Sequence, residues 1–489
     1  WNQQMTKIFT NDIKKVDLVV LGAGPAGVAA ANVASKEGAE VVIIDENSSA
    51  GGQIYRAPPN EFQPQNSFKS DEFREGEKQR NILENSNLTA LFKHRVWSVS
   101  SDLVVSTVGP NGLSSWHTRS LIIANGALER IIPFPGWTIP GVIGLAASTI
   151  LLKSQYVLPG QSTVVAGCGP LLIAVANGII KSGGKVSAII DLNSKSDWIK
   201  AFPRLLSRPD QLFKGMSWFA NIMKAGIKIY GGHAVTNTKQ VDNVLKISIA
   251  PINSAGSIIL DSKYKKIVEG DCLAIGHGLF PSTEITRLLK AKHIYDPYKG
   301  GWVPLIDDDF RSSIPGVYIA GDATGISGAF SAVQKGRIAG MTAVRDLNMM
   351  SSKKYKVKIK SERTTLKKNE NFGKAAVILM KFRSELIQTI TSETIVCRCE
   401  DVYRSEIDEA IESGARDMNQ LKAWTRCGMG PCQGRTCSEA IEAILASKVG
   451  SRELAGQWTG RTPFRPIPID QIIGEYSYDD IPIPKAAPL

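Results

Sequence analysis

The chain has 489 residues, 43% of them hydrophobic and 21% charged, and a formal net charge of +12. At roughly 150 residues per domain this length allows about three domains with full cores. No run approaches the roughly 18 apolar residues of a membrane span, the polar start Trp1–Lys15 lacks an apolar signal core, and no zinc-finger, recognition-helix or RNA-binding pattern accompanies the basic charge, which argues against a nucleic-acid partner. The expected location is cytoplasmic, at most peripheral to the inner face of the cell membrane.

Val16 to Leu21 is a short, mostly apolar strand. GAGPAG follows at 22–27, then a small-residue helix from Val28 to Lys36 and a second strand from Val41 to Ile44 that ends in Asp45-Glu46. This is a βαβ unit. Leu121 to Gly126 reads as a buried strand entering a tight turn. A second βαβ unit opens at Ser162: strand Thr163–Ala166, GCGPLL at 167–172, helix Leu171–Lys181, and strand Val186–Ile190 ending at Asp191. Gly316 to Asp322 is a strand that ends in Gly-Asp, and a helix from Ala329 to Leu347 follows.

Two such units predict an α/β fold with two doubly wound dinucleotide-binding domains. The expected divisions are a discontinuous first domain, 12–155 and 270–347, enclosing a second, 156–269. Lysines are dense from Lys353 to Lys374, read as a solvated linker or as a docking surface for an acidic partner or anionic membrane. The segment 348–392 is expected to be a basic linker followed by a helix over Phe372–Thr391, leading to a small α-rich module at 393–460 and an extended Pro-rich tail at 461–489 that wraps a neighbour.

Each glycine of the first turn has a physical task. Gly22 permits the tight turn, Gly24 lets a pyrophosphate approach the backbone, and Gly27 lets helix and strand pack closely. The helix N-terminus offers unpaired N–H groups to phosphates, with Ala23, Pro25 and Ala26 completing the loop. Asp45 or Glu46 is placed to accept from ribose hydroxyls. In the second turn Leu172 stands where the third glycine would be. That leaves two readings: a nicotinamide-nucleotide site, or a retained fold whose pocket is empty or filled by other side chains.

Of seven cysteines, Cys168 and Cys272 stand alone, whereas Cys397, Cys399, Cys427, Cys432 and Cys437 crowd the tail. Such clustering points to metal ligation rather than disulfides. Cys397 and Cys399 come from one short loop, Cys427 and Cys432 from the glycine-rich turn CGMGPC, and these four are the expected ligands of a [2Fe-2S] cluster. Cys437 can substitute for Cys432, and a four-thiolate zinc site is the alternative metal. Arg398, Arg426 and Arg435 flank the thiols. The five histidines are scattered; His277 is read as structural, and no catalytic residue is assigned.

Residues 15 to 346 resemble the two-dinucleotide-binding-domain flavoproteins, the glutathione-reductase-like group. GAGPAG resembles that group's FAD pyrophosphate turn, Gly51-Gly52-Gln53 its segment along the flavin, Ala124-Asn125-Gly126 its Ala-Thr-Gly turn, and Gly321-Asp322 the pair that holds the ribityl and pyrophosphate region. Val96 falls where the group contacts adenine through backbone. The separation of Cys168 from Cys272 argues against the group's dithiol chemistry. GGQIYRAPP at 51–59, CRCEDV at 397–402 and TRCGMGPCQGRTC at 425–437 narrow the resemblance to the α subunits of opine (nopaline or octopine) oxidases. Dye-linked proline and hydroxyproline dehydrogenases and hydrogen cyanide synthase are similar. The tail resembles the bacterioferritin-associated-ferredoxin-like [2Fe-2S] module. The resemblance implies one subunit of a flavin-dependent oxidoreductase that acts on CH–NH donors. FAD and the cluster would pass electrons from an amine-oxidising β subunit, itself similar to glycine and sarcosine oxidases, to a quinone or other respiratory acceptor. It also allows for FMN at the subunit interface and for a small third subunit.

Overall fold

Strand Ile13–Leu21 enters the first glycine turn and helix Pro25–Lys36 leaves it, in a computed structural model that describes residues 13–59, 62, 71–84, 88–253, 255–259 and 265–471. The strand lies between Val41–Ile44 and Gly112–Ile123, both parallel to it. The sheet runs Thr89–Leu91, Val41–Ile44, Ile13–Leu21, Gly112–Ile123, Val104–Gly109, Arg95–Val99. Strand Gly112–Ile123 is long enough to serve two neighbours on one edge. Its first half pairs antiparallel with Val104–Gly109, and its last residues pair parallel with Val317–Ile319. The central strands are apolar without alternation because both faces are covered. Helices Pro25–Lys36 and Ala329–Asp346 cover one face, with Ala30, Ala31 and Ala34 fully buried between them. A Cβ at Gly336 would lie 2.0 Å from the Ala26 carbonyl oxygen, so this glycine sets the approach of the two helices.

The second sheet is parallel throughout, in the order Lys228–Gly231, Lys185–Asp191, Ser162–Gly167, Cys272–Gly276, Val142–Gly144. This moves the expected divisions at 155/156 and 269/270. Val142–Gly144 and Cys272–Gly276 both belong to the second sheet, because apolar strands of this kind carry no mark of which sheet they join. An antiparallel sheet of His233–Val241, Val244–Pro251 and Lys266–Gly270 packs beside it.

The basic stretch is a helix, Ser352–Leu379, capped by the Ser351 side chain, which accepts from the Lys354 N–H. Tyr355, Ile359, Leu366, Asn369 and Gly373 recur every three to seven residues and are buried, which is one stripe of a helix whose other side carries the lysines. The helix expected over Phe372–Thr391 ends at Leu379, and only a 3-10 turn, Ser384–Thr389, follows. Beyond it Ile395–Cys397 and Val402–Tyr403 pair, and helices Arg404–Glu412, Met418–Thr425 and Ser438–Val449 enclose Ile407, Leu421 and Ile441. The tail returns over its own first domain: the Phe464 N–H donates to Trp97 O (3.1 Å), and the ring is buried in that domain's core. Residues 472–489 of the expected extended tail lie outside the described residues.

If the basic segment is a packed helix, Leu366→Ala should lower the melting transition by about 2–4 kcal/mol. Val357→Ser, on the exposed face, should stay within about 0.5 kcal/mol. Equal, small effects in a denaturant titration would restore the linker.

Candidate functional site

At the first turn Gly22 has φ +99°, and a Cβ there would sit 2.5 Å from the Ala124 carbonyl oxygen. The Gly22 N–H donates to Ile44 O, the Ala124 N–H to Leu21 O (each 2.8 Å). A Cβ on Gly27 would be 1.8 Å from Gly22 O, and one on Gly52 would be 3.0 Å from the Gly24 Cα. A Cβ on Gly321 would be 2.9 Å from that of Ala26. The turn, the Gly-Gly-Gln segment, the Ala124-Asn125-Gly126 turn and the Gly321-Asp322 pair therefore meet at the start of helix Pro25–Lys36.

Asp45 is the acid at the turn. Its Oδ2 accepts from the Ala23 N–H (2.6 Å) and its Oδ1 from the Asn47 N–H (2.8 Å). Glu46 is exposed and faces Arg95 at 3.6 Å. Val96 is half-buried two residues after His94, whose N–H donates to Asp45 O (3.1 Å). Gln53 is exposed and accepts from Arg56 Nη2 (3.1 Å). Asp322 Oδ1 accepts from the N–H groups of Ser327 (2.9 Å) and Gly328 (3.1 Å) before helix Ala329–Asp346.

Three buried polar atoms on this side have no partner: Asn125 Oδ1, Arg56 Nε and Ser327 Oγ. Buried polar atoms are rarely left unpaired, so a donor- and acceptor-rich ligand such as a dinucleotide fits the cradle. Arg56 and Ser327 are not among the residues expected from the sequence. Arg56 lies within the GGQIYRAPP segment that carries the resemblance, but no signal marks Ser327.

The second turn is closed. A Cβ on Gly169 would be 2.5 Å from Met380 Cγ, and one on Gly278 would be 2.9 Å from Met380 Cβ. The Met380 side chain thus lies across the loop that would receive a pyrophosphate. The acid of this unit is also engaged: Asp191 Oδ2 accepts from Trp198 Nε1 (2.9 Å) and Oδ1 from Asn193 (2.8 and 3.0 Å). Arg383 Nη2 bonds Asn193 Oδ1 (3.1 Å) and Asp197 Oδ2 (3.3 Å). Of the two readings left open by Leu172, the geometry matches the filled pocket.

All five tail cysteines come together. The Cys397 thiol contacts those of Cys427 and Cys437, Cys437 contacts Cys432, and Cys432 contacts Cys399. Trp458 closes the glycine-rich turn from one side. Its ring would lie 2.0 Å from a Cβ on Gly434, and its Nε1 donates to Met418 O (2.8 Å). Thiols brought together in this way could hold a two-iron cluster. Arg426 pairs with Glu400 (2.8 Å), Arg435 with Glu284 (2.7 Å), and Arg398 lies over Trp137.

The module is held by Arg130, which nothing in the sequence singles out. Its Nε donates to Glu439 (2.9 Å), Nη1 to Met380 O (3.3 Å) and Nη2 to Gly300 O (2.6 Å), all away from water. Trp302 Nε1 donates to Glu442 (2.8 Å), which pairs with Arg452 (3.1 Å), and Trp137 Nε1 to Ile395 O (2.6 Å). His277 is buried and neutral, its pKa lowered to about 3 by burial, and its Nδ1 accepts from the Ile132 N–H (3.2 Å).

The pattern of the pyridine nucleotide-disulphide oxidoreductases matches residues 16–340, two thirds of the chain and both glycine turns. The chain belongs to that family. A BFD-like [2Fe-2S] binding domain matches residues 395–447. This flavoprotein is 31% identical over 462 residues to an opine oxidase subunit from Rhizobium meliloti (strain 1021), covering 93% of this chain and 98% of the relative. It is 28% identical over 472 residues to the HcnB subunit of hydrogen cyanide synthase from Pseudomonas protegens, covering 92% and 96%. Its fold is similar to that of L-proline dehydrogenase from P. horikoshii, with a TM-score of 0.64 and 18% identity over 95% of this chain and 81% of that one. The protein is thus a flavin- and iron–sulfur-dependent oxidoreductase.

Between the two glycine turns of the flavoprotein, Glu129 Oε1 accepts from the Ala146 N–H (2.8 Å). Burial pushes its carboxyl from 4.5 up to about 7, against the pull of the Leu145 and Ala146 N–H groups. A raised carboxyl pKa means that the folded state holds the proton more tightly. Its contribution is present in full below the unfolded value and is lost as pH rises towards 7. Glu129→Gln should therefore flatten the stability profile between pH 5 and 8, gaining at the upper end at most about 3 kcal/mol over the parent chain. Parallel melting profiles for the two proteins would contradict this.

Proposed function

We propose that this chain is the electron-transfer subunit of a heteromeric flavin-dependent enzyme that oxidises an opine or related secondary amine. The observation that carries the reading is the contrast between the two glycine turns: the first is open, with unpaired polar atoms around it, and the second is covered by Met380. A chain whose second turn is covered in this way receives its electrons from elsewhere, and the names of its relatives suggest an amine as their source. A partner subunit similar to glycine or sarcosine oxidases would remove the hydride, with FMN at the interface, a small third subunit in the assembly and a quinone as acceptor.

FAD would be held by the backbone of Gly22, Ala23, Gly24, Pro25, Ala26 and Gly27, by Asp45 at the ribose, and by Gly52, Asn125 and Asp322 along the remainder. The flavin supplies exchange between two-electron and one-electron transfer, and the cluster takes electrons singly. The protein's own part is positional. Asp45 orients the first turn through the Ala23 N–H, Asp322 fixes the start of helix Ala329–Asp346, and Arg130 fixes the cysteine module against the flavin domain.

For the cluster we assign Cys397, Cys399, Cys432 and Cys437. Contacts run from Cys397 to Cys437 to Cys432 to Cys399, whereas Cys427 hydrogen-bonds Cys397 and Thr425. The assignment replaces Cys427, expected from the spacing, with Cys437. Cys437→Ser should remove the brown visible absorbance and the bound iron, while Cys427→Ser should retain both. The reverse outcome, read by iron analysis of anaerobically purified protein, would return the ligand to Cys427.

The functional reading is tested on the assembly purified from its native source. Anaerobic addition of an opine should bleach the flavin and then reduce the cluster, whereas NADH at the same concentration should leave both oxidised for minutes. Rapid bleaching by NADH would favour a stand-alone NAD(P)H reductase, the reading that the retained second domain motivates. Cofactors that stay oxidised during amine turnover would make this chain a scaffold.

A further inference from the structure

Helices Lys195–Leu205 and Pro209–Lys224 turn large apolar side chains outward. Ile199 and Phe202 on the first with Leu206 at its C-terminal cap, and Phe213, Met216 and Met223 on the second, are 48–70% exposed. Within each helix they recur at spacings of three, four or seven residues, which is one stripe of a helix. A core explains none of them. The inward side of the first helix is a different set, in which Ala201 packs on Ala375 and Leu379 of the basic helix Ser352–Leu379. Large apolar side chains exposed in stripes on two successive helices mark a docking face.

The charges around the stripes identify the occupant. Lys195, Lys200, Arg204 and Lys224 are exposed along the same two helices. Their two acids are spent on arginines, Asp197 on Arg383 (3.3 Å) and Asp210 on Arg208 (2.6 Å). The basic helix that packs against the first of them adds exposed lysines such as Lys374, in a chain whose net charge is +12. A second copy of the chain carries the same charge and is repelled, and the centres of protein interfaces are depleted of lysine. Phenylalanine, isoleucine and methionine bordered by lysine and arginine are the signature of a helix lying in the headgroup region of an anionic bilayer. Among the described residues no helix is long and apolar enough to cross a membrane, so the contact is interfacial.

We propose that this helix pair is a membrane-docking surface that seats the protein on an anionic lipid bilayer. The side chains enter the headgroup boundary and the lysines meet the lipid phosphates. The proposal stands on exposure and charge and does not require the amine reading.

The test is co-sedimentation of the cofactor-loaded full chain with phosphatidylcholine vesicles, with and without phosphatidylglycerol. Binding is expected to the anionic vesicles, to weaken as salt is raised, and to be slight on phosphatidylcholine alone. The double substitution Phe202→Ser with Phe213→Ser should weaken it at least about tenfold, with melting temperature and flavin content unchanged because both rings are exposed. Lys200→Glu with Lys224→Glu should weaken it without altering the apolar stripe. Ile267→Ser, an exposed apolar position on a strand, should bind as the parent does. Parent protein left in the supernatant, or serine variants that bind equally well, would overturn the proposal. So would variants that lose self-association or partner-subunit binding while vesicle binding persists, since the face would then be a protein interface.

Discussion

One buried guanidinium sets the geometry of the molecule. The Arg130 side chain is removed from water, where unpaired donors are costly, so its guanidinium is held by acceptors within the protein. The three acceptors it uses come from three parts of the chain: Gly300 of the flavin domain, Met380 at the end of the basic helix, and Glu439 near the start of helix Ser438–Val449. Phe382 lies against both Arg130 and Arg452, and Arg452 in turn pairs with Glu442 on the same helix as Glu439. A desolvated ionic interface of this kind adds little net stability compared with an apolar one, but it tolerates few alternative arrangements. Its effect is registration: the thiol module has one seat on the flavin domain, and Met380 is drawn over the second turn at the same time.

The two glycine turns begin from nearly the same local sequence and end in opposite states. Both are strand, turn and helix with proline at the first helical position. At the first, the surrounding segments approach as glycines, Gly52 and Gly321, and leave Asn125, Arg56 and Ser327 with unused polar atoms. At the second, the approaching segment brings a thioether and an arginine, and Asp191 is satisfied internally by Trp198 and Asn193. Retaining the fold while filling the pocket preserves a large buried sheet.

What the sequence made legible was local. The βαβ units, the acid after the second strand and the clustered thiols each fall within a few tens of residues, and their chemistry is written in the residue types. The membership of Val142–Gly144 and Cys272–Gly276 in the second sheet was not legible, because parallel pairing across more than a hundred residues leaves no trace in either strand. Nor was Met380, an ordinary methionine whose role comes from where helix Ser352–Leu379 ends. The helix itself was legible in principle. Tyr355, Ile359 and Leu366 carry its period, but eight lysines between Lys353 and Lys374 hide it under a charge pattern that also suits a linker. Cys427 and Cys437 each lie five residues from Cys432, on opposite sides of it, and the spacing of the sequence does not say which of the two joins it.

Burial within the thiol cluster is uneven. Cys397, Cys427 and Cys437 are buried, while Cys399 and Cys432 are partly open. The closed side is the one built from the contacts that dock the module, since Cys397 and Cys437 share a core with Ile132, Cys168 and Met380. A cluster held by these thiols would meet packed flavoprotein core on the side of Cys397 and Cys437 and water on the side of Cys399 and Cys432. Hydration stabilises charge and so favours the more negative, reduced cluster, while the dry side offers continuous packed protein towards the flavin domain. The glycines around the cluster let Trp458 seal the turn without a side chain in its way, so the asymmetry is fixed by packing rather than by the thiols themselves.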